Sequence, residues 1–175
     1  MNQVHWVYPY EKLKAPNVLG TLEALRLATR HKLKPFHFVS STSVLDTDHY
    51  VNFLNLGQSV LESDDLVGAK TALGSGYGQS KWVAEKLIMR AQSRGVPATI
   101  IRPGYIVGDS KTGVSNTDDF LWRLVKGCLQ LGKIPRIANV INMCPVDYVA
   151  DAVAEIAAHE TSLAKKVFHI WNSQR

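Results

Sequence analysis

Cysteine is scarce. Cys128 and Cys144 are the only two in 175 residues, and neither has a histidine or a second cysteine at metal-ligand spacing. A disulfide framework and a cysteine-based metal site are thereby excluded. Both thiols read as reduced, core or near-core residues, which fits a reducing, cytoplasmic compartment. No apolar run approaches the length needed to cross a bilayer. Residues 1–6 lack the charged and apolar regions of a secretory signal. Basic residues never run longer than Lys165-Lys166 and form no stripe broken by aromatics. The net charge of +5 therefore reads as a solvated basic surface, not a nucleic-acid footprint. The carboxylates between residues 45 and 76 (Asp46, Asp48, Glu62, Asp64, Asp65) follow no metal-ligand pattern and read as solvated. No Gly-x-x-Gly-x-x-Gly follows a first strand. Gly74, Gly76 and Gly78 are close together, but they follow no clear strand and lack a further glycine at the required spacing, so they are not a phosphate-cradling fingerprint. Repeats, low-complexity tracts and domain linkers are missing as well.

What is present is ordinary globular material, 46% apolar and 20% charged. It is one domain's worth of chain, enough to bury a core. A modest positive field would also suit a phosphorylated cofactor. The stretch of most chemical interest is Gly74-Ser75-Gly76-Tyr77-Gly78-Gln79-Ser80-Lys81. A tyrosine and a lysine four apart on a helix share a face. An ammonium beside a phenol favours the phenolate, which would bring a group of pKa about 10 toward neutrality. The flanking glycines are expected to permit an unusual backbone leading into the helix.

Along the chain, residues 4–8 suit a short strand or its exit loop. A helix is expected from Pro16 and Asn17 to about Arg30, with Asn17 as its N-cap or as a support for a neighbouring strand. Residues 36–40 read as a buried strand with hydroxyls at its carboxyl end, where open α/β sheets bind ligands. Residues 45–76 are long for a structureless loop and suit a cover over a site. The Tyr/Lys helix runs through residues 80–94, with Ala84, Leu87, Ile88 and Ala91 inward. Gly95 and Pro97 end it, and a strand follows at residues 98–101, the αβ half of a parallel unit. Arg102-Pro103-Gly104-Tyr105 then turns. After a loop at residues 109–113, an amphipathic helix begins near residue 115, with Phe120, Leu121, Leu124, Val125 and Cys128 expected to pack on the sheet. A strand is expected around residues 140–143. A helix follows from Pro145, with Val149, Val153, Ile156 and Ala157 inward, and a last strand at residues 167–170.

These segments resemble the extended short-chain dehydrogenase/reductases, whose catalytic set is Ser/Thr, Tyr and Lys. Residues 77–87 (YGQSKWVAEKL), 102–108 (RPGYIVG) and 115–135 (SNTDDFLWRLVKGCLQLGKIP) are similar to the thioester reductase domains of the lysine-biosynthetic α-aminoadipate reductases, and the likeness runs over nearly the whole chain. The resemblance implies a Rossmann-type doubly wound parallel α/β sheet, here partial, because the family's first βαβ unit with its Gly-rich loop lies ahead of residue 1. It implies Ser41, Tyr77 and Lys81 as the catalytic residues, with Thr42 the close competitor of Ser41. It places Ser40, Tyr77, Lys81, Pro103, Gly104 and Ile106 against a nicotinamide cofactor, NADPH, with His5 a possible neighbour. Asn116 and Thr117 fall at the substrate end, and Asp147 is structural. No metal is implied.

The implied reaction is reduction of a phosphopantetheine-bound acyl thioester to an aldehyde, with L-2-aminoadipate as the acyl group. The adenylation and carrier domains would lie upstream in the same protein. The 175 residues then form a single partial domain, a fragment of a larger protein or else a truncated product; the intact catalytic set favours the fragment. A half sheet would expose an apolar strand edge and lower solubility. Two other readings remain open at this point: a sugar-nucleotide epimerase or dehydratase of the same fold, and a non-catalytic remnant acting as a binding module.

Overall fold

The computed structural model describes residues 3–136 and 141–172. The chain enters a helical run at Tyr10, earlier than Pro16. Helix α1 (Tyr10–Leu13) passes through a π-helical stretch (Lys14–Leu19) into α2 (Gly20–Thr29). Pro16 explains the widened turn. It has no N–H to donate and its ring crowds the carbonyl four residues back. Opening the helix to i→i−5 bonding, seen in the Gly20 N–H to Ala15 carbonyl bond, accommodates the ring.

Three parallel strands form the main sheet in the order β1 (Phe36–Val39), β2 (Ala98–Pro103), β5 (Val167–Ile170). The register pairs Phe38 with Ile100 and Ile101 with Phe168. All six residues of β2 are buried, as a central parallel strand covered on both faces requires. Strand β2 is two residues longer than its sequence suggests. Arg102 and Pro103 belong to the strand, and the chain turns at Gly104. A second, two-stranded parallel pair joins β3 (Tyr105–Val107) to β4 (Met143–Pro145). Part of the strand expected around residues 140–143 lies outside the described residues.

Helices cover the main sheet on both sides. On one face, α2 and α4 (Gly76–Gln92) bury Leu25, Ala84 and Ile88 against Phe38, Ile100 and Val167. Ile88 and Ile100 are wholly enclosed, and each contributes about 1.5–3 kcal/mol relative to exposure. On the other face, α6 (Val146–Ala158) sets Val149, with Ala152, Val153 and Ile156, against Ile101, Cys144 and Ile170. Ala157 is exposed, and Ala152 takes the inward place expected of it. Helix α7 (Thr161–Lys165) leads into β5. Both cysteines are free, Cys144 buried and Cys128 half-buried. No helix among the described residues is long and apolar enough to cross a membrane.

Two segments differ from their sequence reading. Residues 45–76 contain a core of their own. Helix α3 (Asp48–Asn55) and the turns after it bury Tyr50, Leu66, Ala69 and Leu73 with Val44. Its carboxylates are not all solvated. Asp64 accepts hydrogen bonds from the Tyr50 hydroxyl (2.6 Å) and the Leu66 N–H (2.7 Å); burial and that carboxylate push the Tyr50 phenol well up. Glu62 accepts from the His169 N–H (2.7 Å) and pairs with Lys165 (2.9 Å). Helix α5 (Phe120–Leu131), by contrast, buries no residue. Its apolar side does not pack on the sheet. Its first turn is partnered, with the Phe120 ring 5.0 Å from that of Trp6.

Candidate active site

Helix α4 starts at a clamped point. Ser75 caps it, its hydroxyl accepting the Gly78 N–H at 3.0 Å. Gly74, Gly76 and Gly78 all have negative φ, so none is there for an unusual dihedral; Gly76 and Gly78, in the first turn of α4, serve close approach, while Gly74 has open space around it. A Cβ on Gly76 would lie 2.4 Å from the Tyr8 carbonyl oxygen, and one on Gly78 would lie 2.8 Å from that of Ser43. The chain on either side therefore presses against the first turn of α4.

Tyr77 and Lys81 follow one turn apart. The Lys81 ammonium donates to the Val39 carbonyl (2.7 Å) at the carboxyl end of β1 and lies 4.7 Å from the centre of the Phe38 ring. The residue is 3% exposed. Burial lowers its pKa to about 8, with the Glu85 carboxylate opposing. The same ammonium stands 6.0 Å from the Tyr77 ring centre. Burial raises the Tyr77 pKa, and the neighbouring Ser41 side chain works against that rise. The direction is opposite to the shift toward phenolate that the Tyr/Lys spacing suggests. Ser41 sits where the chain leaves β1. Its hydroxyl accepts the Ser43 N–H (3.1 Å) and lies 3.0 Å from the Ser43 hydroxyl. Thr42, its competitor, opens the short 3₁₀ turn that Ser41 caps.

Ser40 continues the β1 ladder by donating its N–H to Ile101 (2.7 Å). Its side chain is buried, and among the described residues its hydroxyl has no hydrogen-bond partner. An orphaned hydroxyl at the carboxyl end of a parallel strand, next to the carbonyl that Lys81 holds, fits a bound nicotinamide nucleotide with its many acceptors and donors. Pro103 is buried, Gly104 half-buried and Ile106 39% exposed at the carboxyl end of β2 and beyond. Asn142 packs on Gly104 and accepts the Tyr105 N–H at 2.8 Å.

Below Lys81 lies a charge network that the sequence did not disclose. Glu85 and Arg102 are both wholly buried and form a forked ion pair, 2.7 Å at its shortest. A second arm of the guanidinium meets His169 Nε2 at 3.0 Å. Burial, then Arg102, lowers the His169 pKa. Its signal was the spacing 81–84–85–88, which puts Lys81 and Glu85 on the inner face with Ala84 and Ile88.

Tyr77 opens onto a cleft of about 420 Å³ whose walls include His5, Trp6, Ser43, Asp46, Thr47, Asp48 and Ser75. His5 therefore joins Tyr77 there, its ring stacked on that of Tyr8 at 3.5 Å. Asn17 is not an N-cap. It lies buried inside the π-helical stretch, where its amide exchanges two hydrogen bonds with the Gln3 backbone (2.6 and 2.9 Å) and donates to the Ser80 hydroxyl (2.9 Å). It thus ties the cleft's N-terminal wall to α4. Asn116 and Thr117 lie in the turn before α5 and are not among the residues lining this cleft. Asp147 accepts from the Ser110 N–H (3.0 Å) and hydroxyl, closing the loop at 109–113, a structural role. Among the described residues, no group of histidine, cysteine and carboxylate side chains could hold a metal.

A parallel, helix-covered sheet with a serine, a half-buried tyrosine and a buried lysine near its carboxyl edge has the architecture of the short-chain dehydrogenase/reductases. Residues 2–153 match the NAD-binding family described as Male sterility protein, and the chain belongs to it. It is 53% identical over 161 residues to the L-2-aminoadipate reductase of Schizosaccharomyces pombe, covering 89% of this chain and 11% of that protein. The chain spans only about a tenth of the length of the L-2-aminoadipate reductases it matches, 11% and 13% for two of them. The terminal R domain of the myxalamid PKS-NRPS pathway superposes with a TM-score of 0.90 at 42% identity, over 99% of this chain and 42% of that one. A UDP-glucuronic acid 4-epimerase from Bacillus cereus shares the fold alone, with a TM-score of 0.68 at 19% identity over 99% of this chain and 51% of that one.

Proposed function

We propose that this chain supplies the catalytic side chains of an NADPH-dependent reductase that converts a carrier-bound acyl thioester to an aldehyde, with L-2-aminoadipate and its 6-semialdehyde as substrate and product. The observation that carries this reading is the placement of Tyr77 on the wall of the cleft with the Lys81 ammonium 6.0 Å from its ring centre and anchored on the Val39 carbonyl at the carboxyl end of β1. Ser40, Tyr77 and Lys81 would hold the nucleotide, with Pro103, Gly104 and Ile106 along its nicotinamide end. When bound, NADPH supplies the hydride that the thioester carbon receives.

The rest is work for this chain's residues. Negative charge builds on the carbonyl oxygen as the carbon becomes tetrahedral. The Ser41 and Tyr77 hydroxyls stabilise it by hydrogen bonds, and Tyr77 gives up its proton to it. Lys81, charged below a pH of about 8, lowers the cost of the phenolate left behind and regains its influence once a substrate excludes water. Collapse of the adduct breaks the carbon–sulfur bond, releasing the phosphopantetheine thiol and the aldehyde. The chain would act as a single partial domain within a longer cytoplasmic protein, with adenylation and carrier domains upstream.

The test is Tyr77→Phe in the full-length protein. Thioester-dependent NADPH oxidation should fall about 10²–10⁴-fold, while adenylation and loading of the carrier continue. Undiminished turnover would reject the assignment.

A further inference from the structure

The cleft beside Tyr77 carries negative charge that reduction of a thioester does not require. Asp46 and Asp48 stand on its wall, both exposed, and among the described residues neither carboxylate has an ion-pair or hydrogen-bond partner. Other carboxylates are committed to backbone N–H groups, as with Asp64, Asp109 and Asp119. No lysine or arginine lines this cleft among the described residues.

Between the two acids lies Thr47, which also lines the cleft and is 5% exposed. It occupies the N-cap of α3 in the extended conformation suited to capping (φ −143°), yet its side chain makes no capping bond. Among the described residues its Oγ1 has no hydrogen-bond partner. A threonine at an N-cap ordinarily accepts a helix N–H, and a buried hydroxyl left unpaired is costly. A ligand arriving through the cleft would complete it.

We infer that Asp46, Thr47 and Asp48 form a subsite for a protonated amine on the acyl group being reduced. An ammonium has three donors and no acceptor. The three residues offer two carboxylates and one hydroxyl oxygen from consecutive positions, opposite in charge to an ammonium and equal in number to its donors; the subsite reads the amine alone, since no lysine or arginine among the described lining residues answers an α-carboxylate. The subsite selects aminoacyl over simple fatty acyl thioesters. It rests on the thioester reading for the identity of the acyl group.

The test uses the full-length protein and two non-reducible probes, the pantetheine amide formed at the 6-carboxyl of 2-aminoadipate and the same compound N-acetylated. Dissociation constants are measured by calorimetry at low salt. The free-amine probe should bind about 10-fold or more tightly than the acetylated one, as loss of charge-assisted hydrogen bonds implies. In the Asp46→Asn/Asp48→Asn double variant the ratio should fall to about 1–2. Thr47→Val should weaken the free-amine probe several-fold without lowering the urea midpoint, because the hydroxyl it removes is unpaired in the free protein. An acetylated probe that binds as well as the free amine, or a preference that survives in both variants, would overturn the subsite. Reduction is scored separately with the true thioester. Amine preference without any turnover would keep the subsite and sink the reductase reading, whereas turnover without amine preference would sink the subsite alone.

Discussion

Glu85 of α4 and Arg102 of β2 face each other with no exposure to solvent, Arg102 Nε 3.1 Å from both carboxylate oxygens and Nη2 2.7 Å from one of them. The pair fastens the turn below Lys81 to the central strand. Taking two charges out of water is repaid only when geometry is good and spare donors are used. Here His169 takes one of those donors.

Glu85→Gln should therefore destabilise the fold by about 3–5 kcal/mol, since it strands a buried guanidinium. Replacing both partners, Glu85→Leu with Arg102→Met, should cost much less than the sum of the single changes. Urea denaturation of the two singles and the double gives the coupling directly. Additive losses would show that the pair does not act as a unit.

Lys81 sets a pH dependence whose sign can be worked out. Its folded pKa is lowered to about 8 from an ordinary 10.5. Between those values the unfolded chain binds the proton and the folded chain does not, so the stability this group contributes rises with pH. That contribution is fully present above 10.5 and is lost as pH falls through about 8. The cost of holding the ammonium buried at neutral pH is about 3 kcal/mol. Tyr77 acts oppositely only at higher pH, because its raised pKa makes stability fall once the unfolded phenol ionises. Urea midpoints measured from pH 7 to 10 should climb in the wild type, and Lys81→Met should flatten that climb. A parallel rise in the variant would assign it to other groups.

Asn17→Ala should free the first wall of the cleft. It removes both hydrogen bonds to Gln3 and the one to Ser80, a loss of about 1–3 kcal/mol. Amide exchange at Gln3 should accelerate far more than exchange in β2. Uniform acceleration would mean that Asn17 supports the whole fold and not that wall.

Much of the site was legible because its chemistry is local. Tyr77 and Lys81 are one helical turn apart, and Ser40 and Ser41 end a strand whose apolar pattern marks it. The buried strands β2 and β5 were legible for the same reason. What escaped depends on partners far away in the chain. Arg102 beside Pro103 and Gly104 reads as a turn until Glu85 is known to face it. The core of residues 45–76 is built from Val44, Tyr50, Leu66, Ala69 and Leu73; the last three have helical spacing but sit in turns, and Val44 and Tyr50 join them from well upstream, so no single period marks the cluster. The π-helical stretch at Pro16 shifted a helix start by six residues, from Pro16 to Tyr10. In α5 the periodicity was sound and the conclusion from it was not. An amphipathic stripe says that a helix has an apolar side, but it does not say that this chain covers it.

Gly76 and Gly78 admit two separate segments, Tyr8–Tyr10 and Ser43, to the backbone of one helical turn. Tyr77 lies in sequence between those two glycines, and both segments adjoin residues that wall the cleft. Reshaping the pocket for a different acyl group therefore moves the acid that serves the reaction. Substrate range and catalytic position are tuned by the same atoms, so a bulkier side chain at either glycine should disturb turnover and selectivity together.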